Sequence, residues 1–455
     1  MPEQHQPDYV EFPACRLPVT ASADVVVIGG GTAGFVAAIA AARTGASVIL
    51  LERYGYLGGS LTGTYTTNPG NFGDLEGNQI IKGIGWEFIE RMEAAGFAIV
   101  NRDLWTVQTF PEASKTIALE MALEAGIEIS LHTWFSQPLL DGARLRGVVI
   151  ESKSGREVVR GKAFVDASGD ADLAFLSGAP CEKLNAENLW QTSVDLTICN
   201  IDANQVIAWA EQNPDRITWL SQPRQLERPG IRPMISLMIR EDTPPDGSDI
   251  LHVGPVPTIK LMIHSSIGRV QGSVEIDGTD RRELTKAEII ARQRAMSHLD
   301  YLRKTVPGFE QAVIVGESHL GVRETRRIIG DYVLTLEDLL QNARFADVVA
   351  LNCRALDQHL KGGVFKFQML QGHHDIPLRA LLPQKIDNLI VAGRCISSDH
   401  AANASLRGAA TCMATGHAAG AAAALTALAD GRTRNLNITK LQKTLQEQGA
   451  ILKIE

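Results

Sequence analysis

The stretch that most constrains this chain runs from Asp24 to Glu52. Asp24 to Gly29 reads DVVVIG, a continuous β-branched run of the kind that forms a strand buried on both faces. Gly30 to Arg43 opens on glycines, is rich in alanine and closes at Gly45, the pattern of a helix. Ser47 to Glu52 (SVILLE) is a second buried strand. Strand, helix and strand within about 30 residues make one βαβ unit and predict a parallel, doubly wound α/β sheet. The turn into the helix is Gly29-Gly30-Gly31-Thr32-Ala33-Gly34, a G-x-G-x-x-G. Gly29 permits the sharp turn. Gly31 lets backbone N–H groups approach a pyrophosphate at the helix N-terminus, where the helix dipole favours negative charge. Gly34 lets the helix sit close on the strand. Glu52, closing the second strand, can accept hydrogen bonds from both ribose hydroxyls of an adenosine. Together these residues imply a dinucleotide cofactor, with NAD and FAD both compatible.

Composition removes several other classes. Of 455 residues, 45% are hydrophobic and 21% charged, so the chain can build a large core and is not disordered. The net charge of −8 leaves no basic surplus for phosphates, which disfavours a nucleic-acid partner. The six cysteines (15, 181, 199, 353, 395, 412) form no C-x-x-C pair, which argues against an iron–sulfur cluster, a zinc ribbon or a redox dithiol; no metal site is expected. Their sparseness fits a reducing compartment, and the polar segment from Met1 to Thr20 lacks the apolar core of a signal peptide, so a cytoplasmic location is expected. The uncharged run Gly408 to Ala429 carries Gly416 and Gly420 in a G-x-x-x-G but consists mostly of alanine; it reads as a buried, close-packed helix and not as a membrane span.

Further along, Gly83 to Ala95 and Glu112 to Ala125 read as helices, and Glu128 to Thr133, Gly147 to Ser152 and Ala163 to Val165 as strands about a turn at Asp141-Gly142. Between Pro180 and Pro377 prolines cluster and strands alternate, the mark of an antiparallel or mixed unit. Asn388 to Ala392 is again a buried strand. The expected organisation is a polar leader, residues 22–179 as the first part of a dinucleotide-binding domain, an inserted mixed α+β substrate or cap domain over 180–379, completion of the first domain over 380–430, and a tail helix within 431–455.

The residues after Glu52 discriminate between the cofactors. Gly58 and Gly59 follow it closely, and Ala38, Ala42, Gly45, Val48 and Glu52 fall on an extended pattern. This pattern resembles the FAD signature of the glutathione-reductase-type flavoproteins, in the branch of the fumarate reductase and succinate dehydrogenase flavoprotein. FVDASGDADLA (Phe164 to Ala174) resembles that fold's second glycine motif, and the stretch from Asn388 to Gly420 its C-terminal flavin motif. With GVRETRRIIGDYVLT at Gly321 to Thr335 and IPLRALLP at Ile376 to Pro383, residues 22–430 resemble the broad family of FAD-dependent oxidoreductases. The resemblance implies a Rossmann-like FAD-binding domain, discontinuous in sequence. It implies FAD contacts from Gly29, Gly31, Thr32, Ala33, Gly34, Glu52, Arg53, Gly58, Gly59, Ser60, Ala167, Ser168, Gly169, Gly393, Arg394, Thr411, Cys412 and Met413. Succinate dehydrogenase-type relatives attach FAD through a His after the Gly-Gly pair; here Ser60 to Gly63 stand there, which implies non-covalent FAD. The second nucleotide motif and dithiol of disulfide reductases are lacking.

Four residues are candidates for chemistry. His400 lies between the last strand and the flavin helix, where an imidazole can exchange a proton during hydride transfer. His373 and His374 precede the IPLR turn and can do the same. Arg323, beside Glu324, Arg326 and Arg327, can hold a substrate carboxylate or protonate a developing carbanion, although ion pairing explains such a cluster equally well. His417 reads as a satisfied core residue. The expected function is an oxidoreductase moving a hydride between a small metabolite and FAD, with an unidentified electron donor or acceptor and a homo-oligomer as a further possibility. The alternatives are an electron-transfer or structural flavoprotein working with a partner protein, and a tRNA-modifying flavoprotein.

Overall fold

The computed structural model of the chain describes residues 10, 14–190, 192–214, 217–221, 236–239, 251–254, 259–263, 276–360, 364–429 and 431–454. The proline cluster from Pro223 to Pro257 and most of the N-terminal leader lie outside the described residues.

The buried run near the N-terminus is the centre of a seven-stranded sheet. Strand Val19–Ile28 pairs in parallel with Val48–Leu51 on one side and with the long strand Gly155–Asp166 on the other. Glu128–Ser130 extends the sheet in parallel beyond Val48–Leu51. The long strand serves two neighbours on its far side. Its first half pairs antiparallel with Arg144–Ser152, which forms a hairpin with Trp134–Asp141; its last three residues pair in parallel with Leu389–Val391. A strand from residue 389 thus completes a sheet begun at residue 19. The first strand starts earlier than the sequence predicts: Val19, Ala21 and Ser22 pair with Val158 to Arg160, although most of this end of the strand is exposed. A polar, half-solvated extension leaves no run of buried residues to read.

Helix Thr32–Arg43 packs on this sheet, and the alanine-rich helix Ala409–Leu428 lies along it. A methyl group at Gly416 would overlap the carbonyl oxygen of Ala33, and one at Gly420 that of Ala37. The G-x-x-x-G therefore brings two backbones together inside the core, and its apolar run is buried almost throughout. Among the described residues no helix is long and apolar enough to cross a membrane.

The alternating strands build a second, antiparallel sheet of six: Ile217–Ser221, Ser236–Ile239, Leu251–Gly254, Ile259–Ile263, Val194–Cys199 and Val313–Glu317, in that spatial order. Val194, Leu196 and Ile198, at every second position, turn inward to a cluster with Leu299, Leu302 and Phe309 under helix Arg281–Thr305. That helix opens on Asp280, whose carboxylate accepts the amides of Arg282 and Glu283. The tail carries the expected amphipathic helix, Ile438–Glu447, with Leu441 and Leu445 buried. A further helix, His400–Leu406, stands between the last sheet strand and the alanine-rich helix; Asp399 caps it by accepting the Ala402 amide at 2.7 Å.

Candidate active site

Four glycine turns distant in sequence converge at the carboxyl ends of the parallel strands. Gly29 has φ +93°, and a Cβ there would stand 2.6 Å from the Ala167 carbonyl oxygen, so strand end and second glycine motif touch backbone to backbone. A Cβ at Gly59 would stand 2.7 Å from the Gly31 Cα, which seats the Gly58-Gly59 turn on the helix N-terminus. The Thr32 hydroxyl donates to the Gly58 carbonyl at 2.9 Å and lies 3.1 Å from the Ser60 hydroxyl. A Cβ at Gly393 would approach the Ala33 methyl at 3.2 Å and the Cys412 sulfur at 3.9 Å. Beside Gly31 itself there is room, the nearest atom to an added Cβ being 3.8 Å away. No side chain caps the helix that starts there, and its first internal backbone bond is Phe35 to Gly31. The amides of Thr32, Ala33 and Gly34 thus remain for an anion in a cradle that side chains would fill, which fits a pyrophosphate.

Glu52 is buried beside this cradle. Its Oε2 accepts the Gly30 amide at 2.7 Å and its Oε1 the Tyr54 amide at 2.8 Å. Burial raises its pKa above the usual carboxylate value, and those two amides oppose the rise. A carboxylate has about four lone-pair positions, so two remain for ribose hydroxyls. Arg53 is exposed and stacks on Tyr54 at 4.8 Å and Trp134 at 5.3 Å. Ser168 donates its hydroxyl to Asp166 at 2.6 Å.

Other expected cofactor contacts stand differently. The Arg394 guanidinium donates to the Gly169 carbonyl at 2.7 Å, the Val322 carbonyl at 2.8 Å and Asp170 at 2.6 Å. Burial works to raise Asp170, yet Arg394 and the Thr325 hydroxyl hold it below the usual range. Arg394 therefore clasps the second glycine motif to the GVRETRR segment. Arg326 strengthens the clasp through the Asp170 carbonyl and Asp172. On the flavin helix, the Cys412 amide donates to the Gly408 carbonyl, and the Ala410 amide to Pro69. A Cβ at Gly85 would stand 2.7 Å from the Met413 Cβ, so Met413 packs against helix Ile84–Ala94. Thr411 lies in the first turn of the helix, and its hydroxyl donates to Asn352 at 2.6 Å.

The histidines separate sharply. His374 is buried in strand His374–Pro377; its Nε2 accepts from the Asn352 amide at 3.2 Å, and burial lowers its pKa to about 3. It is neutral near pH 7 and closed to solvent, so the acid–base role expected of it is not open to it. Burial, followed by Arg344, also lowers His373, whose carbonyl accepts from Arg344 at 2.7 Å. His374 instead joins a buried network through Asn352 to Ser405 and Thr411, at the entrance of the flavin helix. His417 bonds Gln448 at 2.9 Å in the core, as expected.

His400 is different. Its Nδ1 lies 3.0 and 2.9 Å from the two oxygens of Glu324, and its ring stacks on Trp190 with centroids 3.9 Å apart. Glu324 is fully buried and also ion-paired to Arg327, which in turn reaches the Ser398 carbonyl and Glu182. A fixed carboxylate on one ring nitrogen sets the tautomer and leaves Nε2 outside that contact. The sequence shows Glu324 only as part of an ion-pair cluster; nothing local marks Trp190, because both meet His400 through tertiary contact alone.

Fold and cradle together define a flavin-type dinucleotide-binding protein. The chain belongs to the FAD dependent oxidoreductase family, whose model matches residues 24–445. Its cofactor is accordingly FAD. The match is to the broad family and does not select the fumarate reductase branch. Over 147 residues the chain is 31% identical to a thiamine thiazole synthase of Aeropyrum pernix, covering 32% of this chain and 50% of that one. Over 162 residues it is 32% identical to a digeranylgeranylglycerophospholipid reductase 1 of Methanopyrus kandleri, covering 32% of this chain and 39% of the relative. The chain thus spans half or less of these relatives. A geranylgeranyl bacteriochlorophyll reductase-like structure from Thermoplasma acidophilum aligns over 94% of this chain and 82% of its own, with 12% identity and a TM-score of 0.43.

Proposed function

We propose that this protein moves a hydride between a small-molecule metabolite and non-covalently held FAD, with His400 as the acid–base residue and Glu324 as its positioning partner. The observation that carries the reading is the Glu324–His400 pair, with both carboxylate oxygens within 3.0 Å of Nδ1. Gly29 to Gly34, Glu52 and Gly58 to Ser60 would hold the cofactor, and Ser60 to Gly63 offer no histidine for covalent attachment. Bound FAD supplies a two-electron hydride acceptor or donor. In the oxidising direction His400 Nε2 takes the hydroxyl proton as the carbon loses its hydride, and the alcohol carbon becomes a carbonyl. Glu324 stabilises the imidazolium that forms, while Trp190 holds the ring plane. In the reducing direction the same proton is returned, to oxygen or to the carbon beside an activated C=C bond.

The test is an anaerobic screen of metabolites for loss of the yellow flavin absorbance, followed by His400→Ala and His400→Gln. With the substrate found, both variants are expected to keep their FAD and to be reduced about a hundredfold more slowly, the usual worth of one acid–base group. Reduction at the wild-type rate would remove His400 from the mechanism. A broad panel without bleaching would overturn the reading as a whole.

A further inference from the structure

Arg327 stands behind both members of the proposed acid–base pair. It lies in the short strand Arg327–Ile328, and the partner strand Cys181–Glu182 places Glu182 directly opposite it. Its guanidinium donates through Nη1 to Glu324 Oε1, through Nε to the Ser398 carbonyl at 2.9 Å, and through Nη2 to Glu182 at 3.0 Å. Ser398 precedes Asp399, the N-cap of the helix that His400 begins. One planar group thus grips a carboxylate and the backbone two residues ahead of the imidazole that the carboxylate faces. Glu324 Oε2 accepts the Trp190 amide at 3.4 Å, so each carboxylate oxygen has an anchor besides His400. The side chains of Arg327 and Glu324 are 1% and 0% exposed, whereas those of Glu182 and His400 are 48% and 29% exposed. Glu182, Arg327 and Glu324 therefore form a row of alternating charge that enters from the surface, crosses two buried groups and ends on the His400 imidazole.

A buried carboxylate is costly unless a cation compensates it, and a neutral imidazole alone does not. Arg327 compensates Glu324 and, as a rigid fork, also fixes where the carboxylate points. A lysine would bring the same charge on a single nitrogen, without the fork. We propose that Arg327 is a positioning residue of the active site, fixing the Glu324 carboxylate against His400 Nδ1, and that Glu182 holds its guanidinium from the solvent side. The inference rests on the proposed hydride-transfer reading for the use made of His400; the coupling along the row is tested without substrate. The other charged groups around the pair are Asp399 and Arg407, at the two ends of the His400 helix, and Arg323, next to Glu324; they stay as they are in every variant.

Holoenzyme carrying isotope-labelled histidine would be titrated with acid and base by NMR, the His400 signal being assigned from its loss in His400→Gln. Glu182→Gln removes the anion at the surface end, and the midpoint of the His400 titration is expected to fall by about 0.3 or more on the pH scale. Arg327→Met removes the buried cation and is expected to raise the midpoint. Arg327→Lys keeps the charge and is expected to leave it near the wild-type value. An unmoved or raised midpoint in Glu182→Gln, or one that Arg327→Met fails to raise, would overturn the proposal. The change at Glu182, a half-exposed side chain, decides even if the methionine variant does not fold. With a bleaching substrate in hand, Arg327→Lys is expected to slow flavin reduction about tenfold, with half-saturation and FAD content unchanged, because the fork is lost. Reduction at the wild-type rate would remove the positioning role. If the midpoint moves as expected and no metabolite bleaches the flavin, the row stands and the hydride reading falls. If bleaching depends on His400 while Glu182→Gln and Arg327→Lys both behave as wild type, the reverse holds.

Discussion

Glu324 and Glu52 are both buried carboxylates, yet they have different work, and substitution separates them. Glu324→Gln keeps the volume but loses the charge that faces His400 and Arg327. FAD content is expected to be unchanged, substrate-driven reduction to fall about a hundredfold, and Glu324→Asp to recover part of the loss, as measured by anaerobic stopped flow. A merely structural Glu324 would show equal losses for Gln and Asp together with release of flavin. Glu52→Ala removes the acceptor of the Gly30 and Tyr54 amides as well as the proposed acceptor of the ribose hydroxyls. It is expected to shed FAD first, by about 1.5–3 kcal/mol for each charge-assisted bond lost, read as a raised FAD dissociation constant. Retention of FAD at wild-type affinity would remove Glu52 from the cofactor site.

At the scale of elements, the decisive contact is between helix Thr32–Arg43 and helix Ala409–Leu428. Backbone meets backbone there, so Gly416→Ala must push the helices apart at Ala33, the residue beside the pyrophosphate turn. Overpacking of this kind costs about 1–3 kcal/mol. The expected outcome is a lower melting temperature together with weaker FAD retention, whereas Ala424→Gly, in the same helix, is expected to keep the cofactor. The two helices are about 380 residues apart in the chain. Sequence patterns identified each helix separately, because alanine-rich periodicity and glycine spacing are local. The helix at His400–Leu406 is only seven residues long, too short for a periodic pattern, and its Asp399 cap is the one local signal for it.

Across the whole molecule, pH acts through groups kept neutral by burial. His374 is held at about 3 and His417 at about 4, against about 6.5 in an unfolded chain. Both folded values lie below the unfolded one, so the unfolded state binds more protons throughout that window. Stability is full above about pH 6.5 and falls as the pH drops toward 4. The melting temperature is expected to decline between pH 7 and pH 5, and His417→Gln is expected to flatten the decline by about one proton, or 1.4 kcal/mol per pH unit. An equal slope in the variant would show that His417 is not a buried neutral group.

The chain by itself determined the βαβ unit, the glycine cradle, FAD as cofactor and the return of the sheet strand near residue 390. Each of these depends on backbone conformation and burial period, which neighbouring residues encode. Only the tertiary structure decided which histidine is buried and which is paired with a carboxylate. His374 and His400 are equally polar in the sequence; one is enclosed in a strand and the other is aimed by Glu324, a residue 76 positions away. In the same way Arg394, an expected cofactor ligand, is engaged by Gly169, Val322 and Asp170, while Arg354 and Arg407 retain unbonded Nε atoms. The physical reason is common to both cases. Protonation and hydrogen-bond satisfaction depend on distance and solvent exposure in three dimensions, and neither quantity is carried by the order of residues along the chain.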